Sequence, residues 1–507
     1  MLNNDIIAKK RRYDKRVRMN KQEHKKKSMP LPSNHEQMQS NDIKTTTHEN
    51  KQKSFDYWLK KNSYYHQQII NFYKFMVPEQ SSVLHVNCAN GYVLDALKPS
   101  WGVGIDLDEL CITQAQERYS AYQFYRGDVS ALPQQEPFDH IILSLATMQT
   151  YDIQELFLSL RRFCKPSTRI IIDHYAYLWE PVLDVTRKFG MRRPIQLKNW
   201  VSRQDMHTFL ELSGYEVVTQ GSYMLMPTYI PLIAPLCNKF LVHVPLINKL
   251  CLQQWIIARP VAVEVKPESI SVSVIIPCRN EKGNVEPAVL RCPHMGKETE
   301  IIFVEGNSKD GTLDEIKRIS EKYPERNISW YVQDGKGKGD AVRKGFAHAR
   351  GDILMILDAD LTMPPEELPK FFEALVSGKG EFINGSRLVY GMENGAMRFL
   401  NLLANFFFSV LFSWLLNQKV KDTLCGTKVL WHEDYKKIVS NRHFFGDFDP
   451  FGDFDLLFGA AKLNLKIIDM PIHYKNRTYG STQIRRFYHG WILLGMSLLA
   501  LKKLKFR

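Results

Sequence analysis

Short apolar runs alternate with longer amphipathic stretches along most of the chain, in two successive blocks. In the first block Ser82–Val86, Val103–Asp106, Asp139–Ser144 and Arg169–Ile172 are apolar runs of strand length, and Tyr122–Tyr125 is a weaker one. Near-continuous hydrophobicity, rather than strict alternation, marks strands buried on both faces. The stretches between them suit helices, so the pattern predicts a βαβ domain with a parallel sheet, ending near residue 262. A single amphipathic helix is predicted over 54–78, stopping before Pro78. After a short linker (Glu264–Ser269) the alternation resumes with Ser271–Pro277, Glu300–Val304 and Asp352–Leu357. The expected fold class is therefore α/β, with two doubly wound Rossmann-like domains over residues 54–262 and 270–490.

Two apolar stretches break this rhythm. Residues 397–416 are long enough to span a bilayer, but Asn401, Asn405, Ser409 and Ser413 recur every fourth residue and make one polar stripe. A lipid-surrounded span has no use for such a stripe, whereas an interfacial or protein-packed helix does. Trp491–Leu501 is too short to cross a membrane and is followed by Lys502, Lys503, Lys505 and Arg507. Residues 491–507 thus read as an apolar, cationic segment for a membrane surface.

Charge sharpens the picture at one end. The net charge is +14, and residues 1–27 carry eleven Lys and Arg against three acidic residues. Residues 1–53 are polar, basic and poor in aromatics, and are expected to be disordered. Such a tail suits an anionic surface, or is a solvated extension without a partner. A nucleic-acid partner would rest on the tail alone and is not expected. The eight cysteines are scattered without a C-x-x-C pair, which argues against a zinc site or disulfide framework and suits a reducing compartment. The N-terminus has no apolar core of the kind a secretory signal needs.

The second block carries the clearer chemistry. Asp358-Ala359-Asp360 follows a buried strand, at the edge where doubly wound sheets bind ligands. Strand alternation would point both carboxylates the same way. Two carboxylates suit Mg²⁺ or Mn²⁺, which take few protein ligands and complete their shell with phosphates. Alone, D-x-D is weak. It stands here among Val274–Glu281, Val304–Thr312, Gly337–Ala341, Asn384–Arg387 and Arg477–Thr482, in that order.

This ordered set resembles glycosyltransferase family 2 over roughly residues 270–490, in particular its polyprenyl-phosphate (dolichol-phosphate) sugar transferase branch. The resemblance implies a GT-A fold with a nucleotide-binding half and an acceptor half, and inverting transfer from a nucleotide-diphosphate sugar to a polyprenyl phosphate or other glycolipid. It implies that Pro277, Arg279, Glu281 and Glu305 line the nucleoside pocket and that Lys338 lies on the diphosphate side. Asp358 and Asp360 are then the metal and sugar-phosphate ligands, and Arg387 and Arg477 meet phosphates. Glu305-Gly306 replaces the family's usual Asp-Asp. Gln483 replaces a frequent Lys, whose place Arg485, Arg486 or His489 could take. An ionised phosphate acceptor needs no base, whereas a hydroxyl does. For that role Asp455 stands nearest to the family's late acidic residue, and Asp453 reads equally as a cap carboxylate.

The first block resembles class I S-adenosylmethionine-dependent methyltransferases over about residues 54–260. Val83–Gly91 runs from strand to helix, Asp106 ends the next strand, and Gly127-Asp128 follows the third. The resemblance implies that Asn87, Gly91, Asp106 and Asp128 surround S-adenosylmethionine. The first loop departs from the family's D-x-G-x-G-x-G, with His85, Asn87 and Ala89 in place of the acid and two glycines. Three functions stay open: a glycosyltransferase with an appended methyltransferase-like domain, a bifunctional enzyme, or a non-catalytic membrane-bound interaction protein. The expected location is the cytoplasmic face of a membrane, held peripherally or monotopically.

Overall fold

The structure, a computed structural model, describes residues 55–195, 197–390, 399–444, 452–480 and 486–506. The expected tail, Gln483, Arg485 and Arg507 lie outside the described residues. The helix predicted over 54–78 is two helices, Phe55–Lys61 and Ser63–Met76. The second ends at Val77, whose extended backbone is what a following proline imposes.

The first sheet contains β1 (Ser82–Val86), β2 (Trp101–Asp106), β3 (Gln123–Arg126), β4 (Phe138–Ser144), β5 (Cys164–Tyr175), β6 (Tyr215–Tyr223) and β7 (Gln253–Pro260). Their order is β3-β2-β1-β4-β5-β7-β6. The predicted parallel pairing holds from β3 to β5, but β7 runs antiparallel to both β5 and β6, so the sheet is mixed. Strand direction depends on connections that residue patterning does not encode. Tyr223 and Tyr175 both pair with Gln253, so the 224–252 connection leaves from the carboxyl edge, where β1, β4 and β5 also end.

The second sheet contains β8 (Ser271–Cys278), β9 (Glu298–Glu305), β10 (Ile328–Val332), β11 (Ile353–Ile356), β12 (Phe382–Ser386), β13 (Lys428–Trp431) and β14 (Ile467–Pro471). The order is β10-β9-β8-β11-β13-β12-β14, with β13 antiparallel to both neighbours. Pleating divides its core: Val272, Val274 and Ile276 of β8 pack on one face, and Ile275 joins Ile302, Leu354 and Phe346 on the other.

A buried charge cluster joins the two sheets. Arg169 of β5 donates two 2.7 Å bonds to Glu381 and one to the Asn464 carbonyl. Arg259 of β7 pairs with Glu381 at 3.1 Å and with Glu216, and Lys466 N–H also donates to Glu381. Burial pushes the Glu381 carboxyl up, but the two guanidiniums outweigh it and hold it below the ordinary range.

The helix Phe399–Leu416 is apolar on more than one face, burying Phe408, Phe412, Leu415 and Leu416. Ser409 and Ser413 Oγ both donate to the Val420 carbonyl, so this part of the polar stripe faces protein, while Phe406, Phe407 and Val410 are exposed. The last helix, Arg486–Ala500, buries Leu493, Met496 and Ala500 and exposes Trp491, Leu494 and Leu498. Its expected cationic end is only partly external. Lys505 is buried, donates to Asn417 Oδ1 at 2.7 Å and sits over the Trp414 ring. No helix among the described residues is long and apolar enough to cross a membrane. All eight cysteines are free; seven are buried and Cys164 is half-buried.

Candidate active site

The carboxyl edge of the second sheet gathers the predicted residues from four strands. β11 ends at Ile356, so Asp358 and Asp360 lie in a turn, with Leu361 at φ 51°. The alternation expected of a strand does not apply there, and the two carboxylates take different partners. Asp358 Oδ1 meets Lys338 Nζ at 2.6 Å. Asp360 Oδ2 accepts from Arg477 at 2.7 Å, and its Oδ1 accepts from Thr362 Oγ1 at 2.8 Å.

Lys338 is the first residue of the helix Lys338–His348, entered through Gly337 at φ 87°. Its ammonium therefore adds to the positive end of a helix dipole. Burial drives the Asp358 carboxyl up, but Lys338, then Lys428 and Arg387, overcome that and keep it below the usual carboxylate range. About a third of the Asp358 side chain remains open (33%), so the charged end is reachable.

Gly426 closes this pocket. A Cβ built there would stand 2.1 Å from Asp358 Oδ2 and 2.2 Å from Lys338 Nζ. Nothing in the periodicity of the sequence marks this glycine. Asp453, the other carboxylate of the Asp453 and Asp455 pair in the sequence, faces the cluster: its Oδ1 lies 3.8 Å from Lys338 Nζ. Asp455, the residue favoured from sequence, turns away and pairs with Arg442 at 3.0 Å.

Arg477 bridges the metal-type carboxylates and the nucleoside-side residues, because it also donates to Glu281 Oε1 at 2.9 Å. Glu281 is buried and accepts from Asn284. Pro277 closes β8 beside Cys278, and Arg279 is exposed at its carboxyl end. Glu305 is buried and folded onto its own loop, accepting from Ser308 N–H at 2.5 Å. Arg387 is committed to Asp422, with bonds of 2.7 and 2.9 Å. Burial pulls the Arg387 guanidinium down, but the Asp422 carboxylate outweighs it and holds the guanidinium above its ordinary range, firmly protonated. It reaches Asp358 as a field rather than by contact. The cluster thus combines oxygen-only donors with a helix-end ammonium, a donor set for diphosphate oxygens and a hard divalent cation.

In the first domain Asn87, Ala89 and Gly91 all take positive φ (61°, 50° and 80°). The loop keeps a glycine-type path although two of the three residues carry side chains, at a cost of roughly 1–2 kcal/mol for Ala89. Asp106 supports it: one carboxylate oxygen accepts from Ala89 N–H at 2.7 Å and the other from Asp108 N–H. Asp128 caps its own turn through Ser130 and Ala131. His85 is buried and pushed down to about 3, hence neutral, where the family has an acid.

His85 and Tyr73 both meet Ser144 Oγ, and Tyr73 and Tyr223 both hydrogen-bond to Asp173, making a largely buried polar chain. Burial raises the Asp173 carboxyl to about 6. A raised folded value withholds stability from the ionised form, so stability falls as pH rises from about 4 to 6 and is level above. Asp173→Asn is therefore expected to stabilise the protein by roughly 2–3 kcal/mol at pH 8 and by little near pH 4, measured by denaturant unfolding at both values.

Comparison with known proteins matches both domains. Residues 273–438 fit the family model "Glycosyl transferase family 2". This region is a family 2 glycosyltransferase domain. Residues 83–167 fit the model "Methyltransferase domain", so a methyltransferase domain precedes the glycosyltransferase domain. Dolichol-phosphate mannosyltransferase of Saccharomyces cerevisiae is 42% identical over 113 residues, which is 21% of this chain and 42% of that protein. The Pyrococcus furiosus protein of the same name is 40% identical over 124 residues, 24% of this chain and 34% of that one. Undecaprenyl-phosphate 4-deoxy-4-formamido-L-arabinose transferase of Edwardsiella ictaluri is 34% identical over 111 residues, 21% and 34% respectively. The chain thus spans between one third and about two fifths of the length of these relatives.

Proposed function

We propose that the glycosyltransferase domain moves a sugar from a nucleotide-diphosphate sugar to a polyprenyl phosphate, with inversion, at the cytoplasmic face of a membrane. The observation that carries this reading is Asp358 held against Lys338 at a helix N-terminus, one turn from Asp360 and Arg477. Pro277, Arg279, Glu281 and Glu305 then flank the nucleoside, and Lys338 takes the diphosphate. Arg477 fixes Asp360 and Glu281 at the donor's two ends. Arg387 acts through the charge balance at Asp358.

Among the described residues no group of three metal-type side chains occurs. Asp358 and Asp360 still fit Mg²⁺ or Mn²⁺, because these ions accept one or two carboxylates with phosphates completing the shell. Bound there, such an ion would neutralise the leaving diphosphate. An acceptor phosphate supplies its own nucleophilic oxygen, so no side chain need remove a proton. For a hydroxyl acceptor Asp453, not Asp455, is the carboxylate beside the cluster. The exposed faces of the helices Phe399–Leu416 and Arg486–Ala500 support a lipid-bound acceptor.

The test pairs nucleotide sugars with polyprenyl phosphate or the corresponding free polyprenol in vesicles. Transfer to the phosphate, lost in chelator and restored by Mn²⁺, is the expected result. Equal transfer to the free alcohol, or transfer indifferent to chelation, would sink the reading.

A second reading is favoured by the glycine-type path of Asn87, Ala89 and Gly91 over Asp106. It gives the methyltransferase domain an S-adenosylmethionine site and the chain two activities. Isothermal titration decides it: no heat at millimolar ligand removes the cofactor.

A further inference from the structure

The 224–252 connection of the methyltransferase domain is unlike an ordinary surface loop. Its two asparagines are turned onto the protein's own backbone. Asn238 accepts from Leu225 and Met226 N–H and donates to the Met226 carbonyl and Tyr64 OH. Asn248 donates to the Val242 carbonyl, and Trp179 Nε1 donates to the Leu250 carbonyl. Its large apolar side chains point outward: Leu232 is 87% exposed and Leu246 76%, with Ile233, Leu236 and Leu250 also exposed. A built segment with satisfied polar groups inside and apolar groups outside is made for a partner surface.

The identity of that surface follows from charge and from neighbours. Residues 225–252 contain no Asp or Glu and include exposed Lys239 and Lys249. The segment touches the helix Phe399–Leu416 and the residues that follow the helix Arg486–Ala500 in the glycosyltransferase domain. Trp414 Nε1 donates to the His243 carbonyl, His243 Nε2 meets the Lys505 carbonyl, and the Phe240 and Phe506 rings stand 4.9 Å apart. Those neighbours are also free of carboxylates from 399 to 421 and from 486 to 507. Three acid-free apolar elements, from two domains, therefore abut one another.

We propose that residues 229–250 dock onto a bilayer carrying anionic headgroups, so that the methyltransferase domain lies on the membrane together with the glycosyltransferase domain. The apolar side chains enter the interface and Lys239 and Lys249 meet headgroup phosphates. Because this connection leaves the carboxyl edge of the first sheet, the edge bearing Asn87, Asp106 and Asp173 lies near the lipid. An acceptor for that domain is then a membrane-borne molecule. The proposal shares the lipid-surface part of the function proposed above, but its test needs neither donor nor acceptor.

The full chain is sedimented with phosphatidylcholine vesicles, with and without phosphatidylglycerol. Leu232→Ser/Leu246→Ser is expected to lower partitioning into anionic vesicles by roughly tenfold or more, with an unchanged melting temperature because both side chains are exposed. Trp491→Ser/Leu498→Ser reports the glycosyltransferase side separately. Loss of binding only in that second variant would overturn the proposal while leaving the glycosyltransferase reading intact. So would a Leu232→Ser/Leu246→Ser variant that binds vesicles like the parent but loses a self-associated form seen in sedimentation velocity, since the surface would then meet a second copy.

Discussion

Gly426→Ala is expected to lower sugar transfer by about 100-fold, a loss on the scale that a 1 Å displacement of a reacting group produces. The added methyl would stand 2.1 Å from Asp358 Oδ2, 2.6 Å from Oδ1 and 2.2 Å from Lys338 Nζ. It cannot be accommodated without separating the carboxylate from the ammonium or turning both from the cleft. Either change misplaces the diphosphate end of the donor. Gly426 stands at the site rather than in the main core clusters, so the melting temperature should fall by only a few degrees. Steady-state kinetics beside circular-dichroism melting separates the two effects. Asp358→Ala, which removes the carboxylate altogether, should cost at least as much. A Gly426→Ala protein that transfers sugar at the parental rate would show that Asp358 and Lys338 do not hold the donor.

Glu381→Ala has the largest expected effect on stability, roughly 3–5 kcal/mol. Removing it leaves Arg169 and Arg259, with side chains 4% and 2% exposed, without their shared carboxylate. It also leaves the Lys466 N–H without its acceptor. The loss should appear as a melting temperature lower by about 10 °C. The triple change Arg169→Met/Glu381→Leu/Arg259→Met should cost far less than Glu381→Ala, because apolar groups of similar size remove the charges together. The pH response has a definite sign. With its folded value held below the ordinary one, Glu381 contributes stability above about pH 4.3, and that contribution is lost as pH falls through the folded value. Glu381→Ala should therefore flatten the acid limb of the stability profile.

The patterning of apolar runs was enough to place β1 to β5, β8, β9 and β11, because strands buried on two faces leave near-continuous hydrophobic signatures, but β6, β7, β10 and β12 to β14 were not marked by it. It also put Asp358 and Asp360 just past a strand's carboxyl end, where the ordered set of motifs singled them out. What it left out was set by partners distant in sequence. Arg387 carries a charge suited to phosphate, but Asp422, 35 residues away, takes both ends of its fork. Asp453 and Asp455 differ by two positions in one helix, which turns them about 200° apart. Local spacing could not tell which of them faces Lys338. The reversed strands β7 and β13 and the inward Lys505 have the same origin, since each is decided by the contact and not by the residue. Gly426 is one of 28 glycines, and only the carboxylate opposite distinguishes it.

The thiols described with the fold have a practical corollary. Burial raises Cys88, Cys278 and Cys425 above the ordinary thiol range and pushes Cys164 up to about 11. Alkylating and spin-labelling reagents attack the thiolate, so these four native cysteines form a slow background at neutral pH. A cysteine introduced at Leu232 or Leu246 would stand in the open and react first. Labels at those two positions could report immersion depth on the otherwise unaltered chain.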